Sequence, residues 1–253
     1  MLILKTFVVL MYVLMIVMNF LANSLPLGGR TTGAISDKYP SLFTPAGFTF
    51  SIWGIIYVLL AIAVWQLVRT PQTDFTSTHT LVAWVLVVSS VFNVLWLVAW
   101  HHDRIVLSTA VMIALFATLM VGFLVTPTAW TAIRLAISVY FAWVSVALIA
   151  NVTIMLVALK MPTLGISEEW WLVGVLLVGL AVGLTTVLTR QDIPFGLVFI
   201  WAYWGILSRH LSSDALSREH PIAIATLFVS LVALLGVSVL RFWLNGYTMF
   251  GKP

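Results

Sequence analysis

Apolar residues run along this chain in long blocks, separated by short polar or Pro/Gly-bearing breaks. The blocks fall at 6–25, 48–68, 80–100, 104–125, 131–159, 171–189, 194–209 and 221–244. A helix needs about 20 apolar residues to cross roughly 30 Å of hydrocarbon, and these blocks supply that length. A transmembrane β-strand would alternate in polarity over about 10 residues, whereas Leu81–Val91 is apolar on consecutive positions. The pattern predicts an all-α integral membrane protein, a polytopic bundle of about eight transmembrane helices. The first block exceeds the apolar stretch of about 7–15 residues in a secretory leader, so it reads as the first helix of the bundle. Connections are short except for 26–44, where Pro26, Gly28, Gly29, Gly33 and Pro40 interrupt helix. That segment is expected to fold back over the bundle as a lid.

Composition sharpens this reading. Apolar residues make up 62% of the chain and charged residues 8%, against about 25% charged in a soluble domain. There is too little polar surface to coat a water-facing globule, so the lipid bilayer is the expected partner. The expected location is a multi-pass membrane position, the cell membrane if the source is bacterial. The 12 Lys and Arg residues are scattered singly, with no stripe to follow a phosphate backbone, and no nucleic-acid partner is expected. Six fall on each side of an eight-span topology, which assigns no orientation by loop charge. Cysteine is absent, which excludes disulfides, thiolate metal sites and thiol catalysis.

The acids Asp37, Asp74, Asp103, Glu168, Glu169, Asp192, Asp214 and Glu219 all fall in loops or at span ends. Ion-coupled pumps place an ionisable group near mid-bilayer, so this distribution counts against one. His79, His101, His102, His210 and His220 also lie at span ends, leaving no pair of axial ligands for a buried haem. His101-His102-Asp103 reads as a solvated interfacial turn rather than a metal site. No nucleophile, base and acid stand at readable spacing, so neither catalytic residues nor a metal centre are expected, and no cofactor is required.

Twelve tryptophans call for an account. Trp84, Trp130, Trp170, Trp171 and Trp243 lie near span ends, where an interfacial aromatic belt explains them. Others share helical faces with polar residues. Phe50, Trp53 and Tyr57 stand at i, i+3 and i+7, as do Asn93, Trp96 and Trp100, with Ser89 and Ser90 a turn earlier. Tyr140, Trp143, Ala147 and Asn151 extend the same spacing to i+11. An amide turned to acyl chains would leave its donors unpaired, so Asn93 and Asn151 are expected to face other helices. Two readings follow: aromatics filling a core with asparagines bonding between helices, or an apolar ligand cavity with a few placed polar groups.

These residues resemble the TspO/MBR family of tryptophan-rich sensory and translocator proteins. Thr44-Pro45-Ala46-Gly47-Phe48-Thr49-Phe50-Ser51-Ile52-Trp53, continuing to Tyr57, is similar to the Pro-Pro-x-Trp-Val-Phe…Trp-x-x-x-Tyr motif opening that family's second helix. Asn93-Val94-Leu95-Trp96 is similar to the Asn-x-x-Trp of its third, and Tyr140-x-x-Trp143-x7-Asn151 to a pattern of its fifth. Ala46 stands where the second proline is expected and Phe48 where the first tryptophan is, and Phe50 to Trp53 is one residue short. The loop from Leu25 to Thr32 does not resemble the family's. The resemblance covers residues 1–160, a TspO-like five-helix membrane core, and leaves 161–253 as three additional helices. Pro194–Trp201 echoes Pro45–Trp53, and the preference of any helix start for proline accounts for the echo.

The resemblance implies binding of a tetrapyrrole, porphyrin or haem, or of a sterol-like molecule, for sensing or regulation, and homodimerisation. On that analogy Trp53 and Asn93 line the cavity, with Phe50, Tyr57, Trp96, Tyr140, Trp143 and Asn151 around them. The alternatives are a transporter or permease for a neutral amphiphile and a light-dependent porphyrin-modifying enzyme.

Overall fold

The computed structural model describes residues 1–24, 29, 32–162, 165–213 and 215–251. The expectations that touch Leu25–Gly28, Arg30, Thr31 and Asp214 lie outside those residues. Eight long helices stand within a few residues of the eight apolar blocks: α1 (Leu2–Ser24), α3 (Ile52–Arg69), α4 (Ser77–His101), α5 (Ile105–Val125), α6 (Thr131–Ala158), α7 (Glu168–Arg190), α8 (Ile193–Leu211) and α9 (Pro221–Leu244). A short helix, α2 (Thr32–Lys38), and a 3-10 turn at Gly47–Ser51 lie between α1 and α3. The fold is an all-helical polytopic membrane bundle.

Seven of the helices are long and apolar enough to cross a membrane, and α8 is not one of them. Seven spans among the described residues, with α8 as an eighth long helix, agree with the expected bundle of about eight. The polar run Ser208-Arg209-His210 at its end lowers the hydropathy of α8. Other helices compensate by enclosing it, and Phe195, Phe199, Ala202, Tyr203, Ile206 and Leu207 are all buried. α8 packs on α6, α7 and α9, and on the 3-10 turn before α3.

Helix ends are set by identifiable groups. Thr76 and His79 form a reciprocal capping box at the start of α4. Asp192 caps α8, its Oδ1 accepting from the Phe195 N–H at 3.3 Å, with Pro194 in the first turn. Glu169 of α7 reaches across to α9, where its Oε1 accepts from the N–H groups of Ile222 (2.8 Å) and Ala223 (3.1 Å). A carboxylate on the first turn of α9 satisfies donors that Pro221 leaves without intrahelical partners. Lys5 does the converse for α3, its buried ammonium donating to the carbonyls of Val68 (3.1 Å) and Thr70.

The core runs without a break from α1 to α9, across the 160/161 boundary. Its centre is a column of rings from α5, α6 and α8: Phe116, Phe141, Phe195, Phe199 and Tyr203, with successive centroids 5.1–6.3 Å apart. Tyr203 ends the column by donating to the Leu176 carbonyl at 2.5 Å, the partner a phenol needs in hydrocarbon.

Candidate functional site

The chain from Thr44 to Phe50 decides where a cavity forms. Pro45 denies an N–H to any helix at this point, and the segment docks instead on the end of α8. The Ala46 N–H donates to the Gly205 carbonyl at 3.0 Å, and the Trp201 indole donates to the Thr49 carbonyl at 2.9 Å. Gly205 permits this approach, because a Cβ there would stand 2.0 Å from Thr49 Oγ1. Together with residues of α1, α3, α4 and α8, the segment lines a cavity of about 780 Å³.

One side of the cavity is aromatic, built from Phe50, Trp53, Tyr57 and Trp96. Trp53 stacks on Tyr57 (5.7 Å, 26°) and meets Tyr140 and Trp143 edge-on at 6.0 and 6.4 Å. The Tyr57 carbonyl accepts from the Tyr12 hydroxyl at 3.0 Å, tying α1 to α3. The Trp96 N–H donates to Asn151 Oδ1 at 3.2 Å, which fixes the ring plane against the cavity. The polar part of the lining comes from Asn19 of α1, from Thr32, Ser36 and Thr44 of the α1–α3 connection, and from Ser208, Arg209 and Ser212 at the end of α8.

The four aromatic residues singled out on α3, its preceding turn and α4 thus line one wall. Asn93, Tyr140, Trp143 and Asn151 stand behind it. Asn93 is fully buried, accepting from Asn19 Nδ2 at 2.7 Å and donating to the Tyr140 hydroxyl at 3.0 Å. Asn151 joins α4, α5 and α6, receiving Trp96 and, at 3.4 Å, Ser108. Trp143 is buried beside Phe50, and its indole N–H has no partner among the described residues.

Sequence reasoning missed the polar wall and Asn19. Asn19 carried a usable signal, an amide inside an apolar run, the same anomaly that singled out Asn93. Arg209 carried none, since the cavity residue it bonds to, Thr44, lies 165 residues away in the chain.

The described part of the connection before α3, from Thr32 onward, docks on the end of α4. The Trp100 N–H donates to the Thr32 carbonyl at 3.2 Å, Tyr39 donates to Asp103 at 2.8 Å, and Lys38 forms an ion pair with Asp103. The pair pushes the Lys38 ammonium above the ordinary lysine range, because Asp103 bonds to its charged form. Within the turn, His102 and Asp103 are exposed as expected, and His101 alone is buried, with Nδ1 donating to the Leu97 carbonyl at 2.9 Å.

At the far end of the bundle lies a second feature that sequence reasoning passed over. Arg134 on α6 and Asp192 before α8 form a buried ion pair, Nη2 to Oδ2 at 2.8 Å. Arg134 also donates to the carbonyls of Phe123 and Thr126 and lies over the Phe123 ring. Asp192 was expected in a loop, and it is, but the loop is folded into the bundle.

Residues 5–239 match the family model described as TSPO-like protein. The chain belongs to the TSPO-like family. It is an integral, multi-pass membrane protein. The match runs through α7, α8 and most of α9, so likeness to the family reaches beyond the five-helix portion at 1–160. No curated protein and no solved structure matches this TSPO-like protein.

Proposed function

We propose that this TSPO-like protein binds a tetrapyrrole, porphyrin or haem, or a similarly flat apolar molecule such as a sterol, in the cavity at residues 44–50, and acts as a sensor or regulator of it. The observation that carries the reading is the aromatic wall of Phe50, Trp53, Tyr57 and Trp96 on a cavity of about 780 Å³. Pockets for small ligands run about 300–1,000 Å³ and combine apolar walls with a few placed polar groups. Indole faces suit a flat macrocycle, and the bond from Trp96 to Asn151 holds one of them in place before any ligand arrives.

The test is a titration of the detergent-purified protein with protoporphyrin IX, read by porphyrin absorbance and tryptophan emission. Binding is expected to be saturable and to quench part of the emission. Trp53→Phe keeps an apolar ring with a smaller face, and is expected to weaken affinity several-fold while the melting temperature stays close to wild type. Unsaturable partition, equal in the wild type and the variant, would refute the reading.

A further inference from the structure

We infer that the cavity ligand carries a carboxylate and that Arg209 is the residue that binds it. This rests on the reading that the cavity holds an apolar ligand, and it adds what the other end of that ligand bears.

The lining of the cavity is chemically mixed. Phe50, Trp53, Tyr57 and Trp96 give the lining its rings, while Thr44, Ser208, Arg209 and Ser212 give it polar groups and a cation. A guanidinium offers five N–H donors. Arg209 uses one, Nη1 to the Thr44 carbonyl at 3.2 Å, and that bond holds its fork at the cavity edge. Neither of the two ion pairs among the described residues, Lys38–Asp103 and Arg134–Asp192, involves it. Among the described residues, no aspartate or glutamate lines the cavity.

Arg134 shows what a structural arginine in this bundle looks like. It has a carboxylate, two carbonyls and an aromatic face. Arg209 is half-buried yet lacks such a set. A cation in a partly desolvated wall, with donors to spare and no counter-charge among the described residues, is completed by an anion from outside the chain. A carboxylate matches the guanidinium fork in a two-point contact. A small free anion would leave the aromatic wall unused, so the ligand is an amphiphile that meets both the rings and the cation.

The experiment compares acids with their esters. Two probe pairs are titrated into the full-length protein in a neutral detergent: protoporphyrin IX with its dimethyl ester, and pyrenebutyric acid with its methyl ester. The wild type is expected to prefer each acid by about tenfold, the scale of a charge-assisted contact. Arg209→Gln is expected to abolish the preference of acid over ester, and a melting temperature close to wild type shows that the bundle is still folded. Arg209→Lys is expected to keep part of the preference, since it retains the charge without the fork. Comparing variant with wild type cancels the unequal partition of acid and ester into micelles.

An acid preference that survives Arg209→Gln, or is absent from the wild type, overturns the inference. If both porphyrins fail to bind while pyrenebutyrate binds through Arg209, the tetrapyrrole reading falls and the carboxylate site stands. If none of the four probes binds, both fall. A lipid phosphate presents a similar oxyanion, so phosphatidylglycerol and phosphatidylcholine are added as competitors. Displacement of the acids by phosphatidylglycerol alone assigns Arg209 to a lipid headgroup and overturns the carboxylate assignment. No displacement by either lipid supports it.

Discussion

Asn93 and Trp53 arise from the same kind of observation, a polar or amphipathic residue on a shared helical face, yet the structure gives them different work. Asn93 has its carbonyl on Asn19 and its amide on Tyr140, linking α4 to α1 and α6 behind the cavity wall. Trp53 presents its ring to the cavity. Asn93→Ala removes two interhelical bonds and leaves the Tyr140 hydroxyl without its amide partner. The expected cost is about 1–2 kcal/mol of stability, small because groups in lipid find substitute partners in the unfolded reference state. Porphyrin affinity per folded molecule is expected to change by less than about twofold, since no contact with the cavity is lost. Thermal melting and titration on the same preparation check both halves. A large loss of affinity without a loss of stability would move Asn93 from the scaffold to the site.

Helices of this length were legible in the sequence because an apolar block has to be about 20 residues long before it can span, and few breaks fall within one. α2 was not legible, since Thr32–Lys38 has no apolar stripe and owes its order to docking on the end of α4. The polar wall of the cavity was hidden for a related reason. Arg209 meets Thr44 only because α8 packs against the turn before α3, and nothing local encodes that meeting. Gly205 is the point where those elements touch. Gly205→Ala would place a methyl 2.0 Å from Thr49 Oγ1 and 2.9 Å from its Cβ, so the 45–51 segment must shift. Overpacking of this kind costs about 1–3 kcal/mol, and porphyrin affinity is expected to fall by about tenfold. Gly236→Ala on α9 is the control: its Cβ meets nothing within 4 Å, and neither quantity should drop. The Lys38–Asp103 pair adds a pH and salt signature to the same region. Lys38 is raised above its unfolded value, so its contribution is complete at neutral pH and is lost only as pH climbs through the raised value, above the ordinary lysine range. Protease cleavage near Lys38 is therefore expected to be constant from about pH 6 to 9 and to rise with ionic strength, because both partners are exposed to solvent.

Across the whole molecule α8 joins two distant devices. Asp192 caps its first turn at one end of the bundle, and Arg209 lies at the cavity about 25 Å along the axis, at a rise of about 1.5 Å per residue. The position of α8 is fixed at the first end by the buried pair with Arg134, where Ser138 also donates to Asp192. Removing one member leaves a charge in the bundle without its counter-charge, which costs about 3–5 kcal/mol, whereas replacing both with apolar residues is often close to neutral. Arg134→Met is accordingly expected to lower the melting temperature sharply. Asp192→Asn should do less harm to the helix start, because asparagine caps nearly as well as aspartate, but it still leaves the guanidinium without its anion. The double variant Arg134→Met, Asp192→Leu separates the terms: it restores charge balance, yet it gives up the cap on α8 and the bond from Ser138. Its melting temperature is expected to lie above that of Arg134→Met and below the wild type by about the worth of one helix cap, about 1 kcal/mol. Melting of these variants together with the single variant Asp192→Leu in one detergent closes the cycle and measures the coupling. Additive losses in the double variant would mean that the pair contributes little as a pair, and that α8 is held by its aromatic column alone.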